Sequence, residues 1–208
     1  MKTYEGGDGA YRVLQAAEKL FAEHGYDGVS VSMIAKAANV CKANIFHHFH
    51  SKEQLYLEVM KNISGLLVAD LRNRDDPNLV SCLRIVAFVK AHLCFFVTHK
   101  NLARLILREL GDAFCHVGGN YPQQEFEGVL RLLVAIIQEG QSKNEINTQA
   151  DPFLIAFFLL GANILLAAGD EIIPDVTAKG YAKDPEKLAQ VVNGFCHQVL
   201  CCKKEHQI

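Results

Sequence analysis

Nine histidines and seven cysteines are the side chains of this 208-residue chain best equipped for chemistry near neutral pH, as proton carriers, metal ligands or nucleophiles. His92, Cys94, His99, Cys115 and His116 crowd its middle, yet none falls in a tight ligand motif, and no metal is expected. Catalytic signatures are missing as well: there is no glycine-rich phosphate loop, no Gly-x-Ser-x-Gly, no His-Glu-x-x-His and no obvious pair of carboxylates. Neither an enzyme nor a cofactor is therefore expected. The cysteines have no regular spacing and follow no signal peptide, so they read as reduced thiols of a cytoplasmic protein.

Four histidines, His24, His47, His48 and His50, gather in the first quarter, where they can carry protons beside an anionic surface. The overall balance of 21 basic and 23 acidic side chains offers no general attraction to nucleic acid, and residues 1–61 hold seven of each sign. Any binding of that kind must come from local placement.

The elements that would place these groups are helical. Half of the chain is apolar, Pro and Trp are scarce, and apolar residues recur at helical spacing nearly everywhere, which gives an all-α reading with about nine helices. The longest apolar run, Phe153 to Ala168, is broken only by Asn163 and falls short of the roughly 20 residues that span a bilayer. It reads as a helix buried on most of its surface, with no membrane contact.

The chain divides near residue 50 into an amino-terminal head, 1–50, and a body, 51–208. The first dozen residues, rich in glycine and charge, read as a mobile arm. From Tyr11 to His24, Val13, Leu14, Ala17, Leu20 and Phe21 form one face of a helix that Gly25 closes in the left-handed conformation. Ser30 can cap a short second helix carrying Ile34, Ala35 and Ala38 inward. Asn39 tolerates the left-handed backbone that stops it, Val40 plugs the core behind the turn, and a third helix runs from about Lys42 to Phe49. Two short helices across so tight a turn form a helix-turn-helix, a corner that many helical proteins also contain by accident.

Ala17, Leu20-Phe21-Ala22-Glu23-His24-Gly25-Tyr26, Val29-Ser30-Val31, Ile34-Ala35, Ala38, Val40, Lys42, Ile45-Phe46-His47-His48-Phe49 and Ser51-Lys52-Glu53-Gln54-Leu55-Tyr56 together resemble the amino-terminal domain of TetR/AcrR-family transcriptional regulators. The resemblance covers roughly residues 10 to 60. It implies a DNA-binding head, a recognition helix Lys42–Phe49 in the major groove, and DNA contacts from Ser30, Ser32, Lys42, Ala43, Asn44, Phe46, His47, His48 and Lys52. Lys42 and Asn44 are expected on the exposed side of that helix, opposite Ile45 and Phe49, where Asn can pair with an adenine edge and Lys with guanine or phosphate. An ordinary solvated helix face is the plainer alternative. His48 and Lys52 look like phosphate anchors, and Ser51 caps a fourth helix whose amide end also attracts phosphate.

Three positions depart from the family pattern. Asn39 stands for the usual Gly in the turn, Cys41 for the Ser or Thr that caps the recognition helix, and Phe46 for a Tyr whose hydroxyl often meets a phosphate. Cys41, at a helix amino terminus, is also a candidate oxidant sensor, or simply a small residue in a tight turn.

A long fourth helix from Lys52 should link head and body and break at Asp75-Asp76-Pro77-Asn78; it is the natural lever between ligand and DNA. Further helices are placed at about Leu79 to His99, Leu102 to Phe114, Gln123 to Lys143, Asp151 to Ala168 and Pro185 to Lys203. The last two carry more apolar surface than one subunit needs. Leu154, Phe158, Gly161 and Leu165, with Leu188, Val191, Val192, Phe195 and Val199, are expected at a homodimer interface, Gly194 allowing close approach. Family likeness adds that such helices form a four-helix interface. Phe88, Phe95, Phe96, Leu105, Ile106, Phe114, Phe126, Leu130, Val134 and Phe157 suit an apolar or aromatic effector, with His92, Arg108 and Glu109 to orient it; the plainer reading of each is ordinary core. The resulting expectation is a repressor, bound as a homodimer to a pseudo-palindromic operator and released by a small effector. A thiol-based redox-sensing regulator, or a helical interaction protein that binds no DNA, is the alternative.

Overall fold

Every element of the computed structural model is helical, and no β-strand occurs among the described residues, 7–99, 102–107, 123–168, 180–181 and 183–200. The chain forms two compact units, Met1–Gly65 with Asn101–Glu125, and Leu66–Lys100 with Phe126–Ile208.

The first unit contains α1 (Gly7–His24), α2 (Val31–Ala38), α3 (Lys42–Phe49) and the beginning of α4 (Lys52–Arg74). α1 starts before Tyr11, its expected first residue. Ala10 is buried in register with Val13, Leu14, Ala17 and Phe21, so the apolar stripe extends back a turn and the helix follows it. The expected arm of a dozen residues is shortened accordingly. Gly25, at φ 73°, donates its N–H to the Phe21 carbonyl at 2.8 Å and closes α1 in the conformation expected of it.

Ser30 caps α2, its hydroxyl accepting from the Met33 N–H at 3.2 Å, and Asn39 ends it at φ 53°, ψ 52°. Ile34, Ala38, Ile45, Phe49 and Leu55 meet in the core. Each large apolar side chain so buried contributes roughly 1.5–3 kcal/mol. Phe21, Tyr26 and Tyr56 close this core as an aromatic cluster, with centroids 5.0 Å apart for Phe21 and Tyr56 and 5.1 Å for Tyr26 and Tyr56. In the helical stretch 102–107, which belongs to the same unit, Leu102, Ala103, Leu105 and Ile106 are buried.

In the second unit α5 (Ser81–Thr98) packs against α7 (Pro152–Ala168) and α8 (Pro185–Phe195), with α6 (Gln123–Ser142) preceding them in sequence. Asp184 caps α8 by accepting from the Glu186 and Lys187 N–H groups, and Pro185 occupies its first turn. α8 widens into a π-helical turn over Cys196–Leu200, where one continuous helix was expected; Lys203, its expected end, lies outside the described residues.

α5 begins two residues later than expected because Val80 is extended, and a distant side chain supplies the cap: the Ser81 N–H donates to Glu145 Oε2 at 2.7 Å. Gly140 makes room for this corner, since a Cβ there would come within 2.6 Å of Ser81 Cβ. One turn on, the buried Arg84 forks onto Asp75 through two 2.8 Å bonds and reaches Glu139 at 2.6 Å. α5 is long and apolar enough to cross a bilayer, but most of its side chains are buried inside the unit, as in a core helix. Cys82 corrects the reading of uniformly reduced thiols. It is disulfide-bonded, while Cys41, Cys94 and Cys196 are free, because sequence spacing carries no sign of which cysteines meet in space.

Candidate functional site

The helix-turn-helix presents one continuous outer face. Lys42, Ala43, Phe46 and His47 are exposed on α3, with Ile45 and Phe49 buried beneath, and Ser30 and Ser32 are exposed at the start of α2. Phe46 leaves 45% of its surface in solvent. This row, set on a helix of about two turns, has the reach and mixed donor and apolar character that major-groove edges require.

Three expected contacts sit differently. Asn44 does not share the face of Lys42: its Oδ1 is buried, has no hydrogen-bond partner among the described residues, and lies 3.5 Å from where a Cβ of Gly9 would stand. At eight residues α3 has a narrow outer pole, and Asn44 falls on the flank that leans on α1. His48 is half-buried, its ring 5.1 Å from that of His47 and 6.2 Å from that of Phe49. Lys52 holds its ammonium 4.1 Å above the Tyr26 ring, which offsets the poor placing of a cation at a helix amino terminus. Burial and the nearby Glu53 and Asp27 carboxylates raise the Tyr26 pKa, keeping the phenol neutral.

The caps are uneven. Ser51 accepts from the Gln54 N–H at 3.0 Å at the start of α4. Cys41, at the start of α3, is exposed and makes no side-chain cap bond. Between α3 and α4, His50 takes φ 58°, ψ −41°, and the Ser51 N–H folds back onto the Phe49 carbonyl at 2.6 Å. This tight three-residue turn is strained for a side chain with a Cβ, and nothing in the sequence announces it.

In the second unit Phe88, His92, Phe95 and Phe96 are buried along α5, and Leu130 is buried on α6. Ile106 is buried in the first unit. Phe157 does not join the interior set; it lies half-exposed on the outer side of α7. Arg108, Glu109 and the side chain of Phe126 lie outside the described residues. His92 is 2% exposed, and burial pushes its pKa down to about 3, so the ring is neutral. Its partner, which sequence reasoning took only as a break in an apolar run, is the buried Asn163 of α7.

The apolar face of α7 is open. Phe153, Leu154, Phe157, Phe158 and Leu165 are exposed, Phe158 at 63%, and Val191 and Phe195 of α8 are exposed as well, with Gly161 half-buried. Leu188 and Val192 are instead buried within the subunit, because α8 turns that side to α5. The Val199 side chain lies outside the described residues.

Residues 13–59 match the sequence profile of the bacterial regulatory proteins of the tetR family. Among similar proteins, the biofilm operon icaADBC HTH-type negative transcriptional regulator IcaR of Staphylococcus epidermidis is 35% identical over 66 residues, 31% of this chain and 36% of that protein. The fatty acid metabolism regulator protein of Bacillus subtilis is 24% identical over 150 residues, 72% of this chain and 77% of that protein. The chain thus spans about a third of the first relative's length and about three quarters of the second's. Its fold is shared with the transcriptional regulator FadR of Bacillus subtilis solved in complex with stearoyl-CoA, at a TM-score of 0.70 and 22% identity, over 89% of this chain and 96% of that one. With a capped helix-turn-helix occupying the matched residues, segment 13–59 is a helix-turn-helix domain of the tetR-family kind.

Proposed function

We propose that this protein is a cytoplasmic repressor that binds a pseudo-palindromic operator as a homodimer through α3 and is released by a small apolar effector. The reading divides the chain into a DNA-binding part, residues 1–50, and a ligand-binding and dimerisation part, residues 51–208. The observation that carries it is the solvent-facing row Lys42, Ala43, Phe46 and His47 on the second helix of a helix-turn-helix. With no excess of basic charge, specificity comes from this row and affinity from having two half-sites, whose centres a two-fold dimer would hold about 34–36 Å apart. The exposed apolar face of α7 and α8 supports the dimer, since Phe153, Leu154, Phe158 and Phe195 left in water favour association with a second copy.

An apolar effector is supported by the aromatic lining of α5, and the FadR structure with stearoyl-CoA makes a long-chain acyl thioester the first compound to try. Ligand and operator would favour different conformations of the body, and their coupling would then be reciprocal. The test is fluorescence anisotropy of the full chain on labelled DNA from upstream of its own gene. Binding that resists unrelated duplex competitor and is reversed by stearoyl-CoA supports the proposal; equal binding to every duplex defeats it.

A further inference from the structure

The outward side of α3 is half apolar. Its exposed side chains are Lys42, Ala43, Phe46 and His47. At about 100° per residue they fall around the helix in the order Lys42, Phe46, Ala43, His47, so a phenyl ring and a methyl group stand between the two side chains that can donate hydrogen bonds. Asn44, the residue of α3 whose amide could pair with an adenine edge, is turned toward the flank: its Oδ1 is buried with no hydrogen-bond partner among the described residues, 3.5 Å from where a Cβ of Gly9 would stand.

The edges of base pairs in the major groove carry donors and acceptors throughout and one kind of apolar group, the C5 methyl of thymine. A phenyl ring pressed onto a cytosine amino group or a guanine oxygen removes its water and returns no hydrogen bond, which is costly. Pressed onto thymine, the same ring buries a methyl group, which is favourable. Phe46 has no polar atom with which to hold a phosphate instead.

We infer that Phe46, with Ala43 beside it, determines specificity at the centre of the α3 face, and that the feature it reads is the 5-methyl group of thymine. The inference rests on the DNA-binding reading above and deepens it by naming the base chemistry that α3 selects. T·A pairs belong under Phe46 and Ala43, with hydrogen-bonded readout confined to the flanking Lys42 and His47. The preference is for the methyl group itself, so 5-methylcytosine is accepted at such a position better than cytosine.

The experiment removes the methyl group and leaves the hydrogen-bonding edge of the base unchanged. Duplexes selected from a random library by the full chain are resynthesised with deoxyuridine in place of single thymines. Their binding to the wild type, Phe46→Ala and Phe46→Leu is measured by fluorescence anisotropy, after each variant is checked for native circular dichroism. At one or more thymines the wild type should bind the deoxyuridine duplex about 4-fold more weakly, the worth of one buried methyl group. Phe46→Ala should bind both duplexes equally at the thymine under the ring, and Phe46→Leu, which keeps an apolar side chain, should retain part of the difference. A variant that merely perturbed the helix would weaken both duplexes alike and leave their ratio unchanged. If no thymine methyl matters to the wild type, or if every deoxyuridine penalty is the same in Phe46→Ala, the inference is overturned while sequence-specific binding stands. If the library yields no enriched duplex, the DNA-binding reading falls, and the inference with it.

Discussion

Lowering the pH from 7.5 to 5.5 should cost the fold about 1.3 kcal/mol through His92 alone. In the unfolded chain this imidazole titrates at the ordinary 6.5, whereas in the folded protein burial holds its pKa near 3. Across that interval the unfolded state takes up nearly one proton at this position and the folded state takes up none. Stability therefore rises with pH: it is full above about 7.5 and is lost progressively as the pH falls below 6.5, levelling off near 3, where the folded ring would also protonate. At pH 5.5 the unfolded chain lies one unit below its pKa, worth about 1.4 kcal/mol, against about 0.1 kcal/mol at pH 7.5. Urea unfolding followed by circular dichroism measures the difference, at one fixed protein concentration because the proposed dimerisation would couple to folding. Subtracting the same series for His92→Gln cancels the other eight of the nine histidines. A pH dependence unchanged within about 0.3 kcal/mol in the variant would refute the reasoning, since the ring would then not be held neutral by its surroundings.

Three further outcomes follow from the geometry. Substituting His50→Gly should stabilise the first unit by about 1 kcal/mol, read as a higher thermal midpoint, because φ 58° is strained for His and free for Gly; a lower midpoint would mean that the His50 side chain is needed there. Arg84→Ala should destabilise by roughly 2–3 kcal/mol in urea unfolding, as the carboxylates of Asp75 and Glu139 lose their shared partner; the figure is held below that of a fully buried pair because both acids are partly exposed. A change under about 0.5 kcal/mol would show the network to be ornamental. Phe158→Glu, on the exposed face of α7, should shift sedimentation toward the monomer without altering the circular dichroism spectrum, whereas an unchanged dimer would place the interface elsewhere.

What was legible beforehand was local. Gly25, Ser30, Asn39 and Ser51 end or begin helices through bonds to residues at most four positions away, so short-range spacing was enough to place them. The stripe of α1 was legible for the same reason, apart from Ala10, which a run of neighbouring glycines concealed. What stayed hidden depended on which side of a helix meets a neighbour. Asn44 and Lys42 lie two residues apart on α3, yet only Lys42 faces out, because α1 crosses beside the other flank. Val191 and Val192 are adjacent and equally apolar, and only the position of α5 decides that Val192 is buried. Phe157 looked like an interior residue because α7 is apolar nearly all round, so its periodicity could not distinguish inside from outside. Arg84 reaches Glu139 across 55 residues, and the Glu145 cap of Ser81 spans 64; no sequence window connects them. Cys82 and the buried contact between His92 and Asn163 belong to the same class, their meaning set by three-dimensional proximity.

The central claim, that α3 reads DNA sequence, is tested most directly by selecting duplexes from a random library with the full chain and remeasuring the winners with Lys42→Ala and His47→Ala. The account predicts an enriched inverted repeat, bound more weakly as salt rises. It further predicts that Lys42→Ala and His47→Ala weaken the selected site by about 1–3 kcal/mol at individual base pairs if they touch base edges, or uniformly if they touch phosphate. A library that returns no enriched sequence, or winners that both variants bind as tightly as the wild type, would contradict it.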